Sequence, residues 1–126
     1  MFPSDLNYTE EHEWVKIDGD VAIIGITDHA TEELGEIVFC ELPEIGTEIT
    51  QMHEFGSIES VKTVSSLFSP MTGIIEDINA NVVSSPSIIN DSPYDDGWLI
   101  KIKLSDPKEA DDLLTPDEYQ AHVNAE

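Results

Sequence analysis

The clearest alternation of apolar and polar positions lies towards the C-terminal end of the chain. Trp98, Ile100, Ile102 and Leu104 fall on one face and Lys101 and Lys103 on the other, which predicts a half-buried antiparallel strand. Near the N-terminus, residues 14–17 and 20–26 read as two strands about the Asp18-Gly19 pair, a dipeptide suited to a tight hairpin. Asp28 is placed to cap a short helix through Leu34, with Gly35 as its left-handed stop. Strand character returns at residues 36–42, breaks at Pro43, and resumes from Glu48 towards Glu59 after a turn at Gly46. A further strand is predicted at residues 74–78. Residues 79–96, rich in Asn, Ser, Asp and Pro, read as a long ordered loop with a short turn near residues 87–90.

The period switches after Leu104. Asp106-Pro107-Lys108-Glu109 and Thr115-Pro116-Asp117-Glu118 each offer a cap residue, a proline at the first helical position and a glutamate at the third. Two short helices are therefore expected in a C-terminal segment of about 106–123. The whole reads as one mainly β domain of 126 residues, large enough for a single core without disulfides or metal.

Charge narrows the function. Five lysines, no arginine and 27 acidic residues give a formal net charge of -22, which repels phosphate backbones and anionic lipid and so argues against nucleic-acid or membrane partners. No run approaches membrane-spanning length and the N-terminus has no basic, apolar leader, so a cytoplasmic protein is expected. Cys40 lies in an apolar run and reads as a buried, inert thiol. His12, His29, His53 and His122 are scattered and show no metal-ligand spacing, so no metal site is expected. No catalytic triad, phosphate loop or carboxylate pair stands out, and the chain does not read as an enzyme.

One stretch stands apart, G-S-I-E-S-V-K-T-V-S-S-L-F-S-P-M-T-G at residues 56–73. Lys62 near its middle is the only lysine between Lys16 and Lys101, set among the β-branched Ile58, Val61, Thr63 and Val64. Composition alone allows one long strand or a hairpin here, since no Asn-Gly or Gly-Gly pair marks a turn. E-S-V-K-T-V-S-S at 59–66 resembles the lipoyl-lysine motif of the glycine cleavage H-protein family. Y-T-x-x-H-E-W-V at 8–15, G-I-T-D-H-A-T-E-E-L-G at 25–35, I-V-F-C-E-L-P at 37–43 and S-P-Y-D-D-G-W-L-I-K-I-K at 92–103 are similar to the family's other signatures, in the family's order.

The resemblance implies a barrel-sandwich hybrid fold, as in lipoyl and biotinyl carriers, with Lys62 at a hairpin tip and lipoic acid in amide linkage to it. It implies a non-catalytic carrier that takes the aminomethyl group of glycine from a pyridoxal-phosphate glycine decarboxylase to a tetrahydrofolate-dependent aminomethyltransferase. A dihydrolipoyl dehydrogenase would then reoxidise the arm, which a lipoate ligase or a lipoyl/octanoyl transferase would first attach. It also places Glu13 near the docked, loaded arm. Family members usually carry Gly, Ala and Asp where this chain has Met52, Thr63 and Ser66. Three alternatives stay open: a lipoyl relay or store for ketoacid dehydrogenases, a biotinyl carrier, and an unmodified interaction module. Against the second, biotinyl lysines are usually flanked by methionines, where Val61 and Thr63 stand here.

Overall fold

The computed structural model describes residues 2–126. Nine strands form two antiparallel sheets stacked in sandwich fashion, joined by short helices. The larger sheet contains β1 (Asn7–Tyr8), β2 (Glu13–Asp18), β3 (Val21–Ile26), β9 (Ile100–Leu104), β8 (Gly73–Ile78) and β5 (Glu48–Ile49), in that order. The smaller has β6 (Glu54–Ser60) at its centre, between β4 (Ile37–Glu41) and β7 (Val64–Phe68). The mainly β class and sandwich expected from sequence are thus present.

The β2–β3 hairpin forms one residue later than the Asp18-Gly19 pair suggests. Asp18 pairs with Val21, so Gly19 and Asp20 make the turn, and Gly19 takes the positive φ of 66° that the first position of a two-residue loop requires. Across this hairpin Trp14 lies opposite Gly25, and a Cβ on Gly25 would sit 2.6 Å from the indole ring. The missing side chain is what allows the ring to lie flat on β3, where its Nε1 donates to the Pro93 carbonyl at 3.0 Å.

β9 is central, paired with β3 on one side and β8 on the other, and Ile100 and Ile102 are fully buried. The predicted face breaks at Trp98, however. Leu99 enters the main core instead, while Trp98 packs against the second cluster, of Leu6, Tyr8, Trp14 and Tyr119, and lies beneath the Lys101 ammonium, 4.7 Å from its ring centre. Residue 98 precedes the strand, so no pleat forces it onto the inner face.

Residues 79–96 differ from the expected loop. They contain two short helices, α2 (Ala80–Ser84) and α3 (Ser87–Asp91), the second covering the predicted turn. Asn79 caps α2, and Val82 and Ile89 are completely buried. Tertiary burial here overrides a composition that favours coil.

α1 (Asp28–Leu34) is also capped differently: Thr27 Oγ1 accepts from Ala30 N–H, and Asp28 is already helical. Gly35 ends the helix at φ 78°, ψ -156°, outside the left-handed helical region and in one open essentially to glycine alone. At the C-terminus, a 3-10 helix (Pro107–Asp112) and α4 (Pro116–Asn124) occupy the predicted segment. Thr115 and Glu118 close a full capping box. The earlier box is only half made, because Glu109 turns away to accept from both Thr72 N–H and Thr72 Oγ1, each at 2.7 Å. Tyr119 of α4 stacks on Tyr8 of β1, ring centres 4.6 Å apart, and so fastens this helix over the start of the chain.

Candidate functional site

Lys62 occupies the tip of the β6–β7 hairpin. Glu59 pairs with Val64, Ser60 N–H donates to the Thr63 carbonyl at 2.8 Å, and residues 61–64 are exposed. The turn lacks the usual turn residues because its backbone is held by other means. The buried Ser60 hydroxyl accepts from both Lys62 N–H and Thr63 N–H at 3.1 Å. Val61 N–H donates to the Glu36 carbonyl at 3.0 Å, tying the tip to the link between α1 and β4. That link is itself clamped: Asn90 of α3 accepts from Ile37 N–H at 2.9 Å and donates to the Gly35 carbonyl at 2.8 Å.

A chain of contacts thus runs from α3 through residues 35–37 to the backbone of Val61, beside Lys62. Asn90 carries it, Ser60 holds the turn, and sequence reading assigned neither a role. The lysine stem then passes over Gly35, where an added Cβ would come within 3.2 Å of Lys62 Cε. His29, Glu32, Glu33 and Lys62 border a shallow cleft of about 280 Å³. Among the described residues no carboxylate lies within 4.0 Å of the amine, so it stands free for acylation.

Glu13 is one of the most buried polar residues, 1 % exposed, and so is not an ordinary surface acid. Its carboxylate accepts from the Thr9 hydroxyl at 2.5 Å and from Phe68 N–H at 3.2 Å, latching the start of β2 to the end of β7. Burial pushes its pKa up to about 8, the two hydrogen bonds opposing that rise. Cys40 is likewise buried, its thiol pushed up to about 12, as an inert core cysteine should be.

The three departures lie in distinct places. Met52 sits in the β5–β6 turn with φ 67°, a conformation glycine tolerates and methionine does not adopt cheaply. Thr63 and Ser66 are exposed on the hairpin that carries the lysine. Three of the four histidines are not scattered in space: His12 lies beside both His29 and His122, with ring centres 4.8 and 5.8 Å away. Sequence spacing could not show this, because α4 returns to the turn before β2 only in the folded chain.

A rigid antiparallel scaffold presents the Lys62 amine on a braced hairpin tip, a placement suited to a carrier subunit. Comparison with known proteins gives the family. The model for the glycine cleavage H-protein matches residues 6–126. The glycine cleavage system H protein of Geobacillus thermodenitrificans is 52% identical over 122 residues, 97% of this chain and 96% of that protein. The H protein of Carboxydothermus hydrogenoformans is 47% identical over 126 residues, covering 100% and 97%. A crystal structure of the H protein from Mycobacterium marinum superposes with a TM-score of 0.90 at 38% identity, over 98% of this chain and 99% of that one. The chain belongs to the glycine cleavage H-protein family.

Proposed function

We propose that Lys62 carries lipoic acid and that the protein moves the aminomethyl group of glycine between the enzymes of the glycine cleavage system. The observation that carries this reading is the free Lys62 amine on a hairpin tip whose backbone is fixed from three directions. Lysine supplies the only side chain in the motif able to form the amide. Its exposure admits a lipoate ligase or a lipoyl/octanoyl transferase, and the braced turn fixes the pivot about which an arm would swing.

When bound, the lipoyl group supplies a five-membered disulfide that cannot reach the unstrained torsion of about 90° and so opens readily to a nucleophile. This chain contributes position. Its partners would be a pyridoxal-phosphate glycine decarboxylase, a tetrahydrofolate-dependent aminomethyltransferase and a dihydrolipoyl dehydrogenase. The acidic surface suits basic docking faces on such enzymes. Among the described residues no helix is long and apolar enough to cross a membrane.

Glu13 we assign to holding the loaded arm. Its latch to Phe68 N–H fixes the end of β7, the strand that leads away from the lysine, and an ammonium brought near would favour the ionised form of this buried acid and gain a charge-assisted hydrogen bond of roughly 1.5–3 kcal/mol. Because the residue is buried, Glu13→Gln is the informative variant, since it keeps an acceptor for Phe68 N–H while removing the group that can ionise beside an ammonium.

The test begins with the apo chain, lipoate ligase, lipoate and ATP, followed by mapping of the added mass. Wild type gains one lipoyl group at Lys62 and Lys62→Arg gains none while still folding. Modification at Lys101 or Lys103 overturns the assignment. Lipoylated protein is next loaded from glycine by the decarboxylase, freed of enzyme, and followed for loss of the aminomethyl group. Glu13→Gln loads at a similar rate and decays several-fold faster; equal decay removes Glu13 from this role. Intact-mass measurement of the native protein separates a lipoyl carrier from a biotinylated or unmodified module.

A further inference from the structure

The turn before β2, the first turn of α1 and the end of α4 meet at a group of imidazoles gathered about one carboxylate. Glu126 Oε2 lies 2.9 Å from His12 Nε2, and its Oε1 lies 3.0 Å from His29 Nε2. The ligating atoms of these three residues all fall within 4.8 Å of one another. His122 stands at the rim, its Nε2 3.5 Å from Glu126 Oε2 and 3.0 Å from the Glu10 carbonyl. Bonds of about 2.0–2.2 Å to a tetrahedral zinc ion hold neighbouring ligand atoms roughly 3.3–3.5 Å apart. The two histidine–glutamate pairs would open by about 0.5 Å, and the wider separation of up to 4.8 Å would close, to admit an ion.

Behind these groups stands a second layer that suits ligation. His12 Nδ1 is 2.7 Å from the hydroxyl of Tyr119, a fully buried residue, and that hydroxyl is 2.8 Å from Thr27 Oγ1. With Nδ1–H donating to the tyrosine oxygen, and the tyrosine hydroxyl donating to Thr27, His12 Nε2 presents its lone pair to the cluster. His12 is also one of only two non-glycine residues with positive φ among the described residues, at 75°. The strained backbone is held by His12 N–H donating to the Thr9 carbonyl and the His12 carbonyl accepting from Thr27 N–H.

We propose that His12, His29 and Glu126 form a binding site for a divalent first-row transition metal, with zinc as the reference ion and a fourth position open to water or His122. Imidazole with carboxylate favours this class over magnesium or calcium, which take oxygen ligands. A bound ion would join α4 to α1 and to the turn before β2, bracing the C-terminal helix beside the cleft that Lys62 shares with His29.

The experiment uses the metal-free full chain carrying Lys62→Arg, so that no arm dithiol competes for the ion. Zinc chloride is titrated against a chromophoric chelator, and cobalt is followed by its visible absorption. One equivalent binds, and cobalt shows the intense bands of a tetrahedral site. His29→Gln and Glu126→Gln each weaken zinc binding by more than ten-fold. Tyr119→Phe, which keeps the ring stack on Tyr8, weakens it by about ten-fold, the scale of a lost outer-shell partner. His53→Gln, in the β5–β6 turn, leaves it unchanged. Circular dichroism without metal verifies that each variant folds. No saturable binding by the parent chain, or equal affinity in the parent and the His29 and Glu126 variants, overturns the site.

Discussion

Replacing Asn90 by alanine tests whether the lysine tip is braced from α3. The substitution removes an acceptor from Ile37 N–H and a donor from the Gly35 carbonyl. Each such bond contributes about 0.5–1.5 kcal/mol net, and Ile37 is 2 % exposed, so water cannot readily replace the lost partner of its N–H. A loss of about 2 kcal/mol follows, lowering Tm by roughly 5–10 °C for a domain of this size. The more telling effect is local. Freed from the clamp, the Glu36 carbonyl should hold Val61 N–H less firmly, and a loss of about 1 kcal/mol there speeds hydrogen exchange of that amide about five-fold. Amide exchange by NMR, with the Val61 rate compared with those of the β2–β3 hairpin in the same sample, separates this local change from global unfolding. The relay from α3 to the tip is refuted if Tm falls while Val61 keeps its exchange rate relative to that hairpin.

Three further outcomes are expected. At Met52, glycine should prove more stable than alanine by about 0.5–1 kcal/mol, because relief of the positive φ, about 1–2 kcal/mol, exceeds the entropy glycine adds to the unfolded chain; the reverse ranking in denaturant melts would mean that the turn is not strained. Gly35→Ala should cost about 1–3 kcal/mol from backbone strain and slow lipoylation by crowding Lys62 Cε, which melting and ligase kinetics measure separately; wild-type values in both would rule out a glycine-only backbone at this position. Added sodium chloride should raise Tm, since the net charge is -22 and every ion pair among the described residues joins a histidine to a glutamate, leaving the lysines to offset no carboxylate at close range; a flat or falling curve from low to moderate salt would contradict this.

What sequence could convey was local. The β2–β3 hairpin, β9 and the Thr115 capping box each depend on residues a few positions apart, and each is found within two residues of its expected place. The site was legible only through its resemblance to a family motif. Its turn is made by Ser60, Glu36 and Asn90, and two of these reach the lysine through space, which no turn-residue pattern records. Glu13 looked like any other acid because its burial is imposed by Thr9 and by Phe68 on a distant strand. α2 and α3 were hidden by a coil-like composition, their helices secured by Val82 and Ile89 reaching the core. The histidine group was invisible for the same reason: His12 meets Tyr119 across nearly the whole chain.

The braced tip also fixes an order of events in the life of the molecule. The octapeptide E-S-V-K-T-V-S-S contains Ser60 but neither Glu36 nor Asn90, so a nascent or damaged chain would offer the ligase a lysine on a floppy segment. Only a chain whose α1, β4 and α3 have already come together shows the amine on a fixed turn. On the proposed function, an arm attached only to the fixed turn would make attachment an inspection step, leaving copies that fail to fold uncharged.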